Sequence, residues 1–149
     1  MDKHSHRTIR HKAMDFLARR EHSALELRQK LVQRFPNSDE IEVVLNKLIV
    51  GDLQSDQRFA ESFFRLRVNG GFGPQRIRAE MRQRGLDDTL IDQEFQAQSV
   101  DWVASVKALC QKKYADVDLG EIKARAKALR YLQYKGHDFD VINAALKDN

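Results

Sequence analysis

The sequence has one cysteine, one tryptophan and two prolines among 149 residues, and each scarcity closes an avenue. A single thiol, Cys110, admits no intramolecular disulfide and no cysteine pair for zinc, which fits a reducing compartment. No run of about 18 apolar residues exists, so no segment is suited to span a bilayer. The opening MDKHSHRTIRHK lacks the apolar core of a signal peptide and reads as a polar lead-in over residues 1–7. The expectation is a cytoplasmic protein without a membrane partner. Sustained apolar/polar alternation, the mark of a half-buried strand, is also missing. So are the G-x-S-x-G elbow and the H-E-x-x-H zinc helix, and the chain is not expected to be an enzyme or to need a cofactor or metal.

What is present is helical spacing. Apolar residues recur at intervals of three and four, while the prolines and all seven glycines fall between periodic segments or at their first positions. Ser23 with Glu26, and Asn37 with Glu40, have the spacing of capping boxes; Ser55, Asp87 and Asp138 are further cap candidates. The chain also repeats itself. Leu31, Ile41 and Leu45 are spaced like Met81, Ile91 and Phe95, and like Leu132, Ile142 and Leu146, at offsets of 50 and 51 residues. The prediction is all-α: three tandem three-helix repeats, at 8–50, 55–98 and 100–148, forming an elongated, curved array. Units this small bury little surface alone and gain core by stacking. A single compact bundle with accidental spacing is the alternative.

The formal charge of +4 and pI near 9.3 permit a polyanionic partner. Charge lies in blocks. From Arg58 to Arg84 there are seven arginines and no lysine, against Glu61 and Glu80. Residues 86–101 carry five acids and no base, and 107–135 carry eight bases against three acids. Arginine alone, where lysine would serve equally for solubility, points to recognition of carboxylate or phosphate. On helical geometry Phe59, Phe63 and Leu66 form a buried stripe, with Arg58 and Arg65 outward. Ile77 and Met81 face the core, Arg78 and Arg82 form a ridge, and Arg76 lies on the other flank.

The stretch VNGGFGPQRIRAEMRQRG resembles a phosphate loop only superficially. Gly71 and Gly73 lead to Pro74-Gln75-Arg76, with neither a preceding strand nor the Lys-Ser/Thr pair of a P-loop, and Arg76 stands where a dinucleotide loop needs its third glycine. The segment is a joint between helices. His4 and His6 sit on a polar terminus and are expected to be unstructured; Cys110 shares a helix face with Val103, Val106 and Leu109 and is expected to be packed. Trp102, Tyr131 and Tyr134 are ambiguous between packing and stacking on unpaired bases, which would require exposure beside Arg130 or Lys135. A helix-turn-helix over 9–35 is conceivable but presents no clear base-reading row.

The segment RFAESFFRLRVNGGFGPQRIRAEMRQRG resembles the central signature of the RecX regulatory proteins. Asp56, Arg58, Phe59, Ala60, Gly73, Arg76, Ile77, Glu80 and Gly85 fit it, as do ARREHSALELRQKL upstream and RYLQYKGHDFDVI downstream. Met81 in place of leucine, and Ser55 before Asp56, are small departures. The resemblance implies three tandem three-helix repeats lying in the groove of the RecA–DNA filament. It implies inhibition of ATP hydrolysis, strand exchange and filament growth, within homologous recombination, DNA repair and the SOS response. It also implies that Asp56, Phe59, Ala60, Gly73, Pro74, Ile77 and Gly85 shape the central repeat.

Candidate contacts to RecA or DNA phosphate are Arg58, Arg65, Arg67, Arg76, Arg78 and Arg82, with Lys112, Lys113, Lys123, Lys127 and Arg130 as a second patch. Single- and double-stranded DNA are expected to bind weakly or through the filament, and the protein to be a monomer. One rival reading is a basic helical protein acting by direct occupancy of DNA; another is an adaptor that binds protein alone.

Overall fold

A computed structural model describes residues 5–147. Among them are nine helices and no strand: α1 (His6–Arg19), α2 (Ala24–Arg34), α3 (Ile41–Val50), α4 (Asp56–Asn69), α5 (Pro74–Gln83), α6 (Asp88–Gln98), α7 (Trp102–Lys113), α8 (Ile122–Tyr134) and α9 (Phe139–Leu146). This is the expected all-α array of three-helix repeats. The chain divides into two compact units, one running to Ser62 and including Met81–Ile91, the other holding Phe63–Glu80 and the chain from Asp92 onward.

In the first unit α1 and α2 both pack on α3. Ser5 caps α1, accepting from the Thr8 amide at 3.2 Å, so helix begins inside the expected lead-in and includes His6; His4 lies outside the described residues. Ser23 and Glu26 form the expected capping box. Asn37 does not: it adopts φ +67°, and α3 starts later, at Ile41, after Glu40, whose side chain caps nothing. The core gathers Ile9, Ala13, Leu27, Leu31, Phe35, Ile41, Val44, Leu45 and Leu48. Each fully buried Leu or Ile there contributes about 1.5–3 kcal/mol. Phe59, Ala60, Met81 and Ile91 of this unit are buried as well.

Two motif residues have structural work here. Asp56 accepts from the Ala24 amide at 2.8 Å and from Gln54 Nε2 at 2.9 Å, satisfying a first-turn donor of α2 from another repeat. Gly85 holds φ +84°, and a Cβ there would come within 2.8 Å of Leu25 Cβ. A side chain at this position would be both strained and obstructed.

In the second unit α7 and α8 pack on α9 around Val106, Cys110, Leu119, Ala128, Leu132, Ile142, Ala145 and Leu146. Burial pushes the Cys110 thiol up, as suits a packed rather than reactive cysteine. Phe64, Phe95 and Trp102 form an edge-on aromatic cluster, with Phe64 and Phe95 centroids 4.8 Å apart.

The expected stripe of α4 needs one correction. Leu66 is 66% exposed, and Phe64, 1% exposed, is buried in its place. The buried positions Phe59, Ala60, Phe63 and Phe64 define an arc displaced toward Ala60 and Phe64, which leaves Leu66 beyond its edge and puts Arg67 near its middle.

Candidate partner-binding surface

The glycine-rich segment is a docked joint. The Gly73 amide donates to Lys135 O at 2.8 Å and the Gln75 amide to Gly136 O at 3.1 Å. A Cβ on Gly73 would lie 2.5 Å from the Gly136 carbonyl, and one on Gly136, at φ +101°, only 2.4 Å from Arg76 Cβ. Both glycines are required by this approach of two backbones. Pro74 opens α5 where no amide is needed, the Ile77 amide donates to Gly73 O, and Ile77 is fully buried. Asp138 stands at the N-cap of α9, where its carbonyl accepts from the Ile142 amide but its side chain makes no cap bond, and its carboxylate instead accepts from Gln75 Nε2. His137 Nε2 meets Gly71 O at 3.0 Å, while its buried Nδ1 has no hydrogen-bond partner among the described residues.

Most central arginines are bound inside the protein. Arg67, only 25% exposed, forms a two-pronged pair with Glu80 at 2.7 and 2.6 Å, and Arg76 Nε reaches the same carboxylate at 3.2 Å. Burial pushes the Glu80 carboxyl up, but the two guanidinium groups outweigh it and hold it below the ordinary range. Arg58 pairs with Glu21 and Asp52, Arg78 with Asp92 at 2.6 Å, Arg82 with Asp88 at 2.9 Å, and Arg84 with Glu26 at 3.6 Å. Much of the acidic block turns inward in the same way: Asp87 caps α6 and Asp101 caps α7. Arg65, exposed on α4, has no partner among the described residues.

The second patch is arranged differently. Lys123, Lys127 and Arg130 are exposed on α8, unpartnered among the described residues, at spacings that place them on one face. Tyr134, 70% exposed, continues that face one turn on, opposite buried Ala128 and Leu132. From Lys123 to Tyr134 the row rises about 16 Å. Lys112 is exposed at the end of α7, and Lys113 beside it lies 4.4 Å from the Tyr131 ring.

From Lys113 a succession of cations and rings leads on. Lys135 Nζ lies 5.8 Å from the Tyr131 centroid and 3.7 Å from that of Phe72. Arg67 stacks on Phe72 at 3.9 Å and Arg76 at 4.7 Å, and Arg76 also lies 4.9 Å from the Tyr134 ring. Each such contact contributes about 0.5–2 kcal/mol, according to desolvation. Burial, then the positive charge of Arg76, Arg67 and Lys113, pushes the Lys135 ammonium down. Sequence reasoning missed Phe72 and did not place Lys135 among the contacts. The available signal was an aromatic residue set between glycines, where packing alone does not require one.

No group of three or more His, Cys, Asp or Glu suited to a metal occurs among the described residues, and no described helix is long and apolar enough to cross a membrane.

Comparison with known proteins sets this geometry in a family. Three family models match in order: RecX, first three-helix domain, over residues 10–48; RecX, second three-helix domain, over 55–93; and RecX, third three-helix domain, over 100–146. The Regulatory protein RecX of Pseudomonas entomophila (strain L48) is 43% identical over 138 residues, covering 93% of this chain and 89% of that protein. That of Pseudomonas putida (strain W619) is 41% identical, covering 93% and 88%. The crystal structure of RecX from Lactobacillus salivarius superposes with a TM-score of 0.76 at 23% identity, over 96% of this chain and 95% of that one. At that identity the likeness speaks to the fold.

Proposed function

The chain belongs to the RecX family of regulatory proteins, and from that premise we propose that it is a negative regulator of the RecA recombinase. In this reading it acts in the cytoplasm as a monomer, binds in the groove of the RecA–DNA filament, and inhibits ATP hydrolysis, strand exchange and filament growth. The three RecX repeats, matched in order along the chain, are the observation that carries the reading.

Contact with the filament is made by candidate cations that have no internal partner among the described residues: Arg65, Lys112, Lys123, Lys127 and Arg130. The paired residues Arg58, Arg67, Arg76, Arg78 and Arg82 hold the scaffold, and reach the partner through donors their internal pairs leave spare or by exchanging one carboxylate for another or for phosphate. Inhibition requires unequal affinity for the ATP-competent arrangement of protomers and the alternative.

The test is single-stranded-DNA-dependent ATP hydrolysis by RecA, titrated with this protein at two RecA-to-DNA ratios. Inhibition below one protein per RecA that persists in excess DNA is the expected result. Inhibition that vanishes when free DNA is abundant would instead mean direct occupancy of DNA.

A further inference from the structure

The row Lys123–Lys127–Arg130 on α8 ends at an exposed ring, and that ring borders the densest group of positive charge in its unit. Around Phe72 stand three cations, Arg67, Arg76 and Lys135, of which Arg67 and Arg76 share one carboxylate, Glu80. Donor accounting leaves capacity to spare. Arg67 uses Nε and Nη2 on Glu80; Arg76 uses Nε on Glu80 and Nη1 on Tyr134 O; Lys135 gives one hydrogen to Gly70 O. Arg67 Nη1, Arg76 Nη2 and the other ammonium hydrogens of Lys135 remain. A surplus of oriented donors beside desolvated cations suits an anion with several acceptor oxygens.

Tyr134 decides which anion. An acidic peptide would need donors only, and an apolar partner would have no use for the charge. A large aromatic face, 70% exposed and supported by Arg76 at 4.9 Å, offers stacking to a planar group. Bases are available for stacking in single strands and are covered in duplexes.

We infer that the C-terminal end of α8 is a single-strand-selective nucleic-acid site, in which Tyr134 stacks on a base, Arg67, Arg76 and Lys135 take the adjoining phosphate, and Arg130, Lys127 and Lys123 follow the backbone. This deepens the proposed function by naming the nucleic-acid contact of the same surface, and it rests on that surface facing the partner.

The experiment uses the full chain alone, without RecA, and fluorescence anisotropy of labelled oligothymidylate, an abasic oligomer of equal length, and a duplex. Wild-type protein should bind oligothymidylate most tightly. Tyr134→Ala should weaken that binding about 10-fold and leave the abasic oligomer unchanged, with Tyr134→Phe restoring affinity. Lys135→Gln should weaken both single strands, and urea midpoints report whether each variant is folded. The inference is overturned if Tyr134→Ala has no effect on oligothymidylate, if the duplex binds equally well, or if nothing binds at low salt. Competition by polyglutamate as effective as that by oligothymidylate would also overturn it, assigning the site to an acidic protein surface. Oligothymidylate binding without any effect on RecA hydrolysis would sink the proposed function alone; inhibition of RecA without such binding would sink this inference alone.

Discussion

The arginines between 58 and 84 end largely in carboxylates of their own chain, whereas Lys123, Lys127 and Arg130 on α8 end in solvent. Both regions are strongly basic in sequence, and helical spacing does not separate them. The difference lies in what each helix faces. Arg67 sits within the buried arc of α4, where its charge is matched by Glu80 and its guanidinium lies over the Phe63 and Phe72 rings. The α8 row lies opposite the core, where no carboxylate among the described residues pairs with it. Positive charge that the fold leaves unmatched is therefore the more accessible to a partner.

The comparison breaks most severely at the backbone contact supporting the paired region. Gly136→Ala places a side chain against Arg76 in a left-handed conformation, and we expect a loss of about 2–4 kcal/mol, measured by urea denaturation. Arg67→Ala should cost about 1–2 kcal/mol, because it removes the two-pronged partner of half-buried Glu80. Lys127→Ala should stay within about 0.5 kcal/mol of wild type. Equal losses from these two variants would erase the distinction between scaffold and surface.

Acid should act on two buried histidines, His22 between α1 and α2 and His137 between α8 and α9. Burial pushes both His22 and His137 down, against the opposing effect of backbone carbonyls at Arg20 and Gly71. Lys30, Arg20 and Glu26 surround His22, and Lys135 and Asp138 flank His137. A depressed histidine binds fewer protons folded than unfolded, so stability is full above the unfolded value of about 6.5 and declines as pH falls below it. Urea midpoints across that range should show the decline, and His137→Gln should make it shallower.

The smallest effect on stability, and the largest on binding, is expected from Lys123→Gln, Lys127→Gln and Arg130→Gln combined. The melting temperature should not move, while the logarithmic salt slope of single-strand binding should fall by about two, near 0.7 per lost phosphate contact. An unchanged slope would place the contact elsewhere.

Much of the fold was legible because helix ends and repeats are local: Ser23, Ser55, Asp87 and Pro74 stand where short-range rules put them. Asn37 was misread because the chain turns through a left-handed residue before α3, which a two-residue spacing pattern does not reveal. Leu66 was misread because the direction of a helix face depends on its neighbours, and the buried arc lay toward Phe64. The candidate surface was half visible. Its cations could be counted, but pairs such as Arg58 with Glu21 and Arg76 with Tyr134 O join residues 37 and 58 positions apart. Phe72, the ring that gathers three cations, stood out only in the assembled joint.

The most direct test of the account is binding of the full chain to preformed RecA filaments on single-stranded DNA, measured beside binding to RecA alone and to DNA alone. The account predicts saturable binding to the filament, at least about 10-fold tighter than to either component, a free-energy gap of about 1.4 kcal/mol. Equal affinity for bare DNA and for the filament would contradict it and leave a DNA-binding protein on a RecX scaffold.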